Sequence, residues 1–351
     1  MKDSFPPHKR TFRRSIVVFI SAALASISCV NSTPAPYPSF SRTFEAIGSS
    51  LSPTWHRQDI GAIFAADEAG TLYGLQDFGE TLAAYSVWTG DQLWSISVPH
   101  DYRGIRSIVA SEQAVVTATT VSLAAYKPAD GSWLWATPLG TGHVSIVLQL
   151  EGDTVRVYYG DDLIEVAIES GKILNRYTRP DLIWLVDNIQ IDRVSAAKGM
   201  IGTDLRTGRE LWTTQELAFY RNEGQPAPLV DKSLLIVPAG DASVCAFDIQ
   251  NGLYRWCRPE AYVSNVVLSP SGQSISAIRG DFALVGLSLE GGDPVIDVSF
   301  LPAELPPSMQ HSLYGYTIIS VQGQLVVQFG DSGDVFAFTR AEVPSQATPL
   351  K

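Results

Sequence analysis

The chain is poor in the residue types that announce a reaction. Among 351 residues only three are cysteine, three methionine and five histidine. His8, His56, His100, His143 and His311 form no i,i+4 pair and accompany no cysteine pair, so a zinc site has no support. No Gly-x-Ser-x-Gly elbow occurs. Gly140-Thr141-Gly142-His143 lacks the third glycine of a dinucleotide loop and opens a strand rather than a helix. Asp161-Asp162 and the run Asp331-Ser332-Gly333-Asp334 are the densest acidic spots. Neither has calcium-loop spacing, and both read as turns between strands. Arg279-Gly280-Asp281 reads as a turn between Ser274–Ile278 and Ala283–Leu287. The expectation is therefore no catalytic residue, no metal ligand, no cofactor-binding residue and no cofactor.

Charge and long apolar runs are scarce too. Charged residues make up 17% against 45% hydrophobic ones, the balance of a folded chain. Lys/Glu-rich helical runs are missing, whereas Val, Thr, Ile, Tyr and Gly are plentiful, which favours strands. The one apolar run near the N-terminus, Ile16 to Ile27, is shorter than the roughly 20 residues of a spanning helix. Lys9, Arg10, Arg13 and Arg14 precede it and small residues follow it, the pattern of a secretory signal over 1–29. A retained anchor is the alternative.

Cys29 stands where a bacterial lipoprotein carries its acylated cysteine, with ordinary cleavage nearby as the other reading. Residues 30–50 are rich in Pro, Ser and Thr and read as a linker, 51–340 as the folded domain, and 341–351 as a polar tail. Cleavage before Cys29 removes five basic residues and one acidic residue. It leaves 20 Lys+Arg against 35 Asp+Glu, a balance of −15. So acidic a surface repels phosphate backbones, so no nucleic-acid partner is expected.

What is abundant is a repeat. The stretch from Ala246 to Trp256 reads as a strand, a tight turn at Asn251-Gly252, and a second strand ending in an aromatic plug. Related stretches carry their turn glycine at Gly90, Gly131, Gly171, Gly208, Gly252 and Gly292, spaced by 41, 40, 37, 44 and 40 residues. A period near 40 made only of strands predicts propeller blades of four strands each. A seventh set starts near Tyr314–Val321 and lacks an outer strand. Trp55 stands where other outer strands carry their Trp, so the N-terminal strand is expected to complete the last blade. The expectation is an all-β, seven-bladed β-propeller closed by an N-terminal strand, with eight blades as runner-up if 38–50 forms more structure.

The pattern Ala-x-Asp-x-x-Thr-Gly-x-x-x-Trp resembles the repeat of the pyrroloquinoline-quinone-like β-propellers over nearly all of the chain after residue 50. The best copies have Asp204, Gly208 and Trp212, and Asp248, Gly252 and Trp256. The resemblance implies that Trp94, Trp135, Trp212 and Trp256 end outer strands and pack between neighbouring blades. The small residue that opens each copy, Ala84, Ala125, Gly202, Ala246 or Gly286, would permit close approach. Quinone-dependent members stack a cofactor on a Trp near vicinal cysteines. This chain has no adjacent cysteines, and Trp88 and Trp184 are expected to pack in or between blades. Cys245 and Cys257 stand symmetrically about Asn251, so a disulfide between them is expected, with two buried thiols as the alternative.

The functional expectation from these features is an exported, membrane-tethered, monomeric propeller outside the cytoplasm that binds protein partners or scaffolds assembly without catalysing a reaction. The nearest analogy is the lipoprotein propeller that supports outer-membrane β-barrel assembly, which shares the signal, the linker and the repeat. The alternatives are a quinone-dependent dehydrogenase and a surface-polysaccharide-binding propeller.

Overall fold

The computed structural model describes residues 43–46, 53–76, 79–98, 104–140, 146–178, 182–194, 199–214, 228–238, 243–260, 262, 264–280, 283–301, 316–329 and 334–339. The described elements are all strands, arranged as seven antiparallel sheets in a propeller. Two strands come first, β1 (Thr43–Ala46) and β2 (Trp55–Arg57). Blade 1 contains β3 (Ala62–Ala66), β4 (Thr71–Gln76), β5 (Thr81–Ser86) and β6 (Gln92–Ser97). Blade 2 contains β7 (Ser107–Ala110), β8 (Val115–Ala118), β9 (Ser122–Tyr126) and β10 (Trp133–Pro138). Blade 3 contains β11 (Ile146–Glu151), β12 (Thr154–Tyr159), β13 (Asp162–Ala167) and β14 (Ile173–Thr178). Blade 4 contains β15 (Leu182–Val186), β16 (Ile189–Val194), β17 (Gly199–Asp204) and β18 (Glu210–Thr213). Blade 5 contains β19 (Leu229–Asp231), β20 (Leu234–Pro238), β21 (Val244–Asp248) and β22 (Tyr254–Arg258). Blade 6 contains β23 (Val267–Leu268), β24 (Ser274–Ile278), β25 (Ala283–Ser288) and β26 (Pro294–Leu301). Blade 7 contains β27 (Tyr316–Val321), β28 (Gln324–Phe329) and β29 (Asp334–Thr339).

The fourth strand on the blade 7 sheet is β2. It pairs antiparallel with β29 through Trp55↔Ala337, His56↔Phe336 and Arg57↔Val335. The segment read as a linker also contains structure. β1 lies on the outer edge of β26, with Thr43 opposite Leu301, and makes the sixth sheet five-stranded rather than adding a blade. Proline and serine dominate that segment, but Thr43-Phe44-Glu45-Ala46 contains neither, so its backbone can pair with a free edge.

Strand formation follows from the apolar, β-branched middle strands. β8, β21 and β24 are buried at every position, which places each between two other blades rather than between core and water. The core accordingly lies between consecutive blades. Tyr73, Leu82 and Ala84 of blade 1 pack with Ile108, Val115 and Tyr126 of blade 2. Tyr85 and Leu72 pack with Val326, Val335 and Ala337 of blade 7. Polar side chains add links at two inner positions. Gln328 of blade 7 accepts from Ile63 N at 2.7 Å and donates to Gly61 O at 2.5 Å. Asn265 spans both backbone groups of Ile318 at 2.7 and 2.8 Å.

The turn at Asn251-Gly252 differs from the tight two-residue hairpin expected. Asp248 N donates to Leu253 O at 2.9 Å and Gly252 N donates to Asp248 O at 2.7 Å, so four residues form the loop. Gly252 alone takes positive φ, at 68°, and Asn251 does not. A turn with both central residues at positive φ occurs instead at Gln322-Gly323, between β27 and β28 (50° and 76°).

Candidate interaction surface

The residues that carry the repeat meet one another in a fixed way. Across the third and fourth strands of blades 1, 2, 4 and 5 a small residue directly opposes the tryptophan: Ala84 and Trp94, Ala125 and Trp135, Gly202 and Trp212, Ala246 and Trp256. In blade 7 the pair is Ala337 and Trp55. The small side chain leaves room for the indole to lie over its own sheet. At Gly202 an added Cβ would stand 2.2 Å from the Trp212 ring.

Each indole then reaches the following blade. Its Nε1–H donates to the carbonyl three residues before that blade's turn glycine. The bonds run from Trp55 to Val87 O (2.7 Å), Trp94 to Pro128 O (2.7 Å) and Trp135 to Ile168 O (2.8 Å). Trp212 reaches Ile249 O (2.7 Å) and Trp256 reaches Leu289 O (2.9 Å). The ring covers the glycine itself. An added Cβ would meet Trp55 at Gly90, Trp94 at Gly131, Trp135 at Gly171, Trp212 at Gly252 and Trp256 at Gly292, all between 2.5 and 2.9 Å. The glycine is thus needed twice, for positive φ and for the neighbour's indole. A hydrogen-bonded, buried Trp NH is also what its desolvation requires.

The acidic position of the repeat serves the same turn. Asp204 Oδ1 accepts from Arg206 N and Thr207 N at 2.9 Å, and Asp248 Oδ1 accepts from Gln250 N at 3.0 Å. Burial opposes the charge on Asp248. The Arg255 guanidinium (2.6 Å), with the amides of Gln250 and Asn251, outweighs it and holds the carboxyl below its ordinary range.

Two blades break the pattern. In blade 6 the partner of Gly286 is Ile296. In blade 3 Glu165 opposes Asn175, whose amide donates to Glu165 Oε2 at 2.7 Å. The row continues to Arg156, which pairs with Glu151, lies 3.5 Å from Glu165 and donates to Leu185 O of blade 4 at 3.4 Å. Tyr158 completes this polar junction by donating to Gln149 at 2.7 Å and accepting from Leu185 N at 3.0 Å. With no tryptophan at position 175, an added Cβ on Gly208 would meet nothing within 4 Å among the described residues.

Other residues singled out from the sequence are placed as follows. Cys245 and Cys257 are direct cross-strand partners with Cα atoms 4.1 Å apart, and their sulfurs are joined. Trp184 is buried edge-on against Tyr158. Trp88 is not packed away as expected: it lies in the outer turn of blade 1, half exposed. Asp162 and Asp334 are the first residues of strands rather than turn residues, because each has a side chain to bind. Asp162 accepts from Thr178 at 2.8 Å. Asp334 is buried and lies 2.9 Å from His56 Nε2, and the His56 ring stacks on Phe336. Arg279 N donates to Ala283 O at 2.8 Å, while Asp281 lies outside the described residues. So do Cys29, His8, His100, His143 and His311. Among the described residues no three His, Cys, Asp or Glu side chains gather as a metal site.

Exposed apolar side chains gather at the outer turns and outer strands of the blades: Trp88, Leu93, Trp133, Leu174, Leu205 and Leu253. Alternation within one strand could not reveal them, because outer strands are apolar on one face for docking and again on the other.

Comparison with known proteins agrees with this architecture. The outer membrane protein assembly factor BamB of Shewanella oneidensis is 28% identical over 220 residues, 57% of this chain and 54% of that protein. The match thus spans about half the length of that relative. The crystal structure of BamB from Moraxella catarrhalis superposes with a TM-score of 0.51 at 14% identity, over 79% of this chain and 85% of that one. The computationally designed Ika8 protein superposes at 0.56 with 13% identity, over 83% of this chain and all of that one. These two likenesses speak to the fold alone. The family described as outer membrane protein assembly factor BamB matches residues 79–184 and 193–299, more than half of the sequence. The chain belongs to that family of PQQ-like repeat propellers.

Proposed function

We propose that this chain is a non-catalytic protein-binding scaffold that serves protein assembly outside the cytoplasm. The observation that carries the reading is the fate of the repeat residues. Trp94, Trp135, Trp212 and Trp256 are engaged at blade junctions, which leaves their indoles to architecture. The family and the Shewanella relative, both named for outer membrane protein assembly, support the same reading. In this reading residues 1–29 direct export, Cys29 takes the lipid, and 341–351 remain a polar tail. The chain between Cys29 and β1 tethers the propeller to a membrane, while the exposed apolar turns meet protein partners.

Affinity capture from detergent-solubilised membranes tests it. Membrane-protein assembly components are expected with the native chain, and loss of membrane association with Cys29→Ala. A propeller that instead quenches its Trp fluorescence on titration with micromolar pyrroloquinoline quinone and calcium is a quinone-dependent enzyme, and the scaffold reading falls.

A further inference from the structure

The junction between blades 3 and 4 leaves one docking position of the ring without its indole. Five tryptophans fill the equivalent positions, always over a turn glycine and always bonded to the carbonyl three residues earlier. At blade 4 the turn is built the same way: Gly208 has φ 67° and its N–H donates to Asp204 O at 2.7 Å. The corresponding acceptor is the carbonyl of Leu205, whose side chain is 42% exposed. No other tryptophan of this chain is placed to enter. Of the eight, five are docked, Trp184 is buried in blade 4, and Trp88 and Trp133 face solvent on blades 1 and 2.

The strand beside the vacancy is also distinctive. All six residues of β14 are exposed, whereas β6, β10, β18 and β22 each have at least one covered position. Ile173, Leu174 and Tyr177 present apolar surface there. The strand's single charge, Arg176, is turned onto Leu139 O (2.6 Å) and towards Asp162 (3.7 Å). Without lysine or proline, this outer edge lacks the usual protection against an added strand.

We propose that Gly208 and β14 together form a receptor for an extended segment of a partner protein. The segment adds to the edge of β14 and inserts a tryptophan over Gly208, with its indole N–H donating to Leu205 O. The occupant's chemistry is defined by the protein itself, which fills the same slot with an indole five times. Strand addition supplies backbone bonds and the slot supplies side-chain selectivity. The inference rests on the scaffold reading and names the class of partner for one of its surfaces.

A fluorescent hexapeptide copying β6, Gln-Leu-Trp-Ser-Ile-Ser, is the probe, titrated against the full chain by anisotropy. Saturable binding is expected, with shifts of the Gly208 and β14 amides by NMR. Replacing the peptide's Trp by Ala should weaken binding about tenfold or more, in line with an anchor residue. Asn175→Trp should close the slot from within and abolish binding. Because the peptide substitution needs no protein variant, the test survives misfolding of Asn175→Trp. No saturation up to about 1 mM, the weak end of the affinity scale, overturns the proposal. So does equal binding of the Ala peptide. Self-association that disappears in Trp133→Ala would assign the slot to a second copy and also overturn it. Membrane partners captured through other surfaces would survive any of these failures. Saturable peptide binding would stand even if membrane capture recovered nothing.

Discussion

The indole of Trp256 lies on the backbone of Gly292, thirty-six residues along the chain, and donates to Leu289 O at 2.9 Å. The ring, 8% exposed, thus links blade 5 to blade 6, beside Arg258, which donates to Gly292 O and Asp293 at 2.5 Å. Removing the ring exposes apolar surface on two sheets and orphans a carbonyl. Trp256→Ala should cost about 3–5 kcal/mol, the usual range for a large buried aromatic. Asn175→Ala, at the same repeat position in blade 3, is expected to be nearly neutral because Asn175 is exposed. Urea unfolding of the two variants makes the comparison. Equal losses would contradict the docking role.

Gly252 and Gly208 share almost the same φ, 68° and 67°, yet differ in what lies above them. A Cβ on Gly252 would stand 2.6 Å from the Trp212 ring, and one on Gly208 would meet nothing within 4 Å among the described residues. Gly208→Ala should therefore report backbone strain alone, about 1 kcal/mol. Gly252→Ala should add about 1–3 kcal/mol of overpacking. The difference between the two denaturation midpoints measures the indole contact. If the two variants match, the contact contributes nothing.

Two groups set the pH limits of blades 5 and 1. Asp248 titrates below its ordinary value in the fold, because Arg255 and two amides outweigh its burial. Its contribution is complete above the unfolded value of about 3.9 and is lost as pH falls through the depressed native value. Tyr73 is shifted upward, first by burial and then by its hydrogen bond to Asp67 at 2.6 Å. Its contribution is complete below about pH 10 and fades above it, as the unfolded chain ionises first. Thermal melts should show Asp248→Asn flattening the acid limb and Tyr73→Phe flattening the alkaline limb. An unchanged pH profile in either variant refutes the assignment.

The N-terminal strand invites a truncation series. Trp55 covers Gly90 of blade 1, and His56 meets Asp334 of blade 7. A chain beginning at residue 43, which keeps β1 and β2, should keep the native melting transition. One beginning at residue 59 should melt at markedly lower temperature and bind a hydrophobic dye, since β29 and the blade 1 turn lose their cover. Indistinguishable melts would show that β1 and β2 add no stability.

Cys245 and Cys257 face each other across β21 and β22. Non-reduced protein, denatured and treated with a thiol reagent, should show neither cysteine labelled. Reduction should lower stability by about 3 kcal/mol, as for loops of this length. Labelling of both residues without reductant would make them buried thiols.

The sequence by itself determined the sheet architecture and its period. Gly90, Gly131, Gly171, Gly208, Gly252 and Gly292 are local turn signals, and the flanking apolar runs are local strand signals. Both act within ten residues, so they survive in the linear text. The recurrence of the tryptophans four residues after the glycines was legible too, and their docking role followed from the resemblance to PQQ-like repeats.

Tertiary structure decided where each indole goes. Trp94 and Gly131, or Trp55 and Gly90, belong to different sheets, and only the stacking of one blade on the next brings them together. It also decided that Trp88 faces water while Trp184 does not, and that Asp334 is a buried partner of His56 rather than a turn residue. The vacancy over Gly208 follows the same logic. Residue 175 is simply Asn in the sequence, and the space it leaves exists only because blade 4 presents its turn there. Local rules encode strands and turns. The packing of sheet against sheet decides which of their side chains are used up in the fold and which remain for another protein.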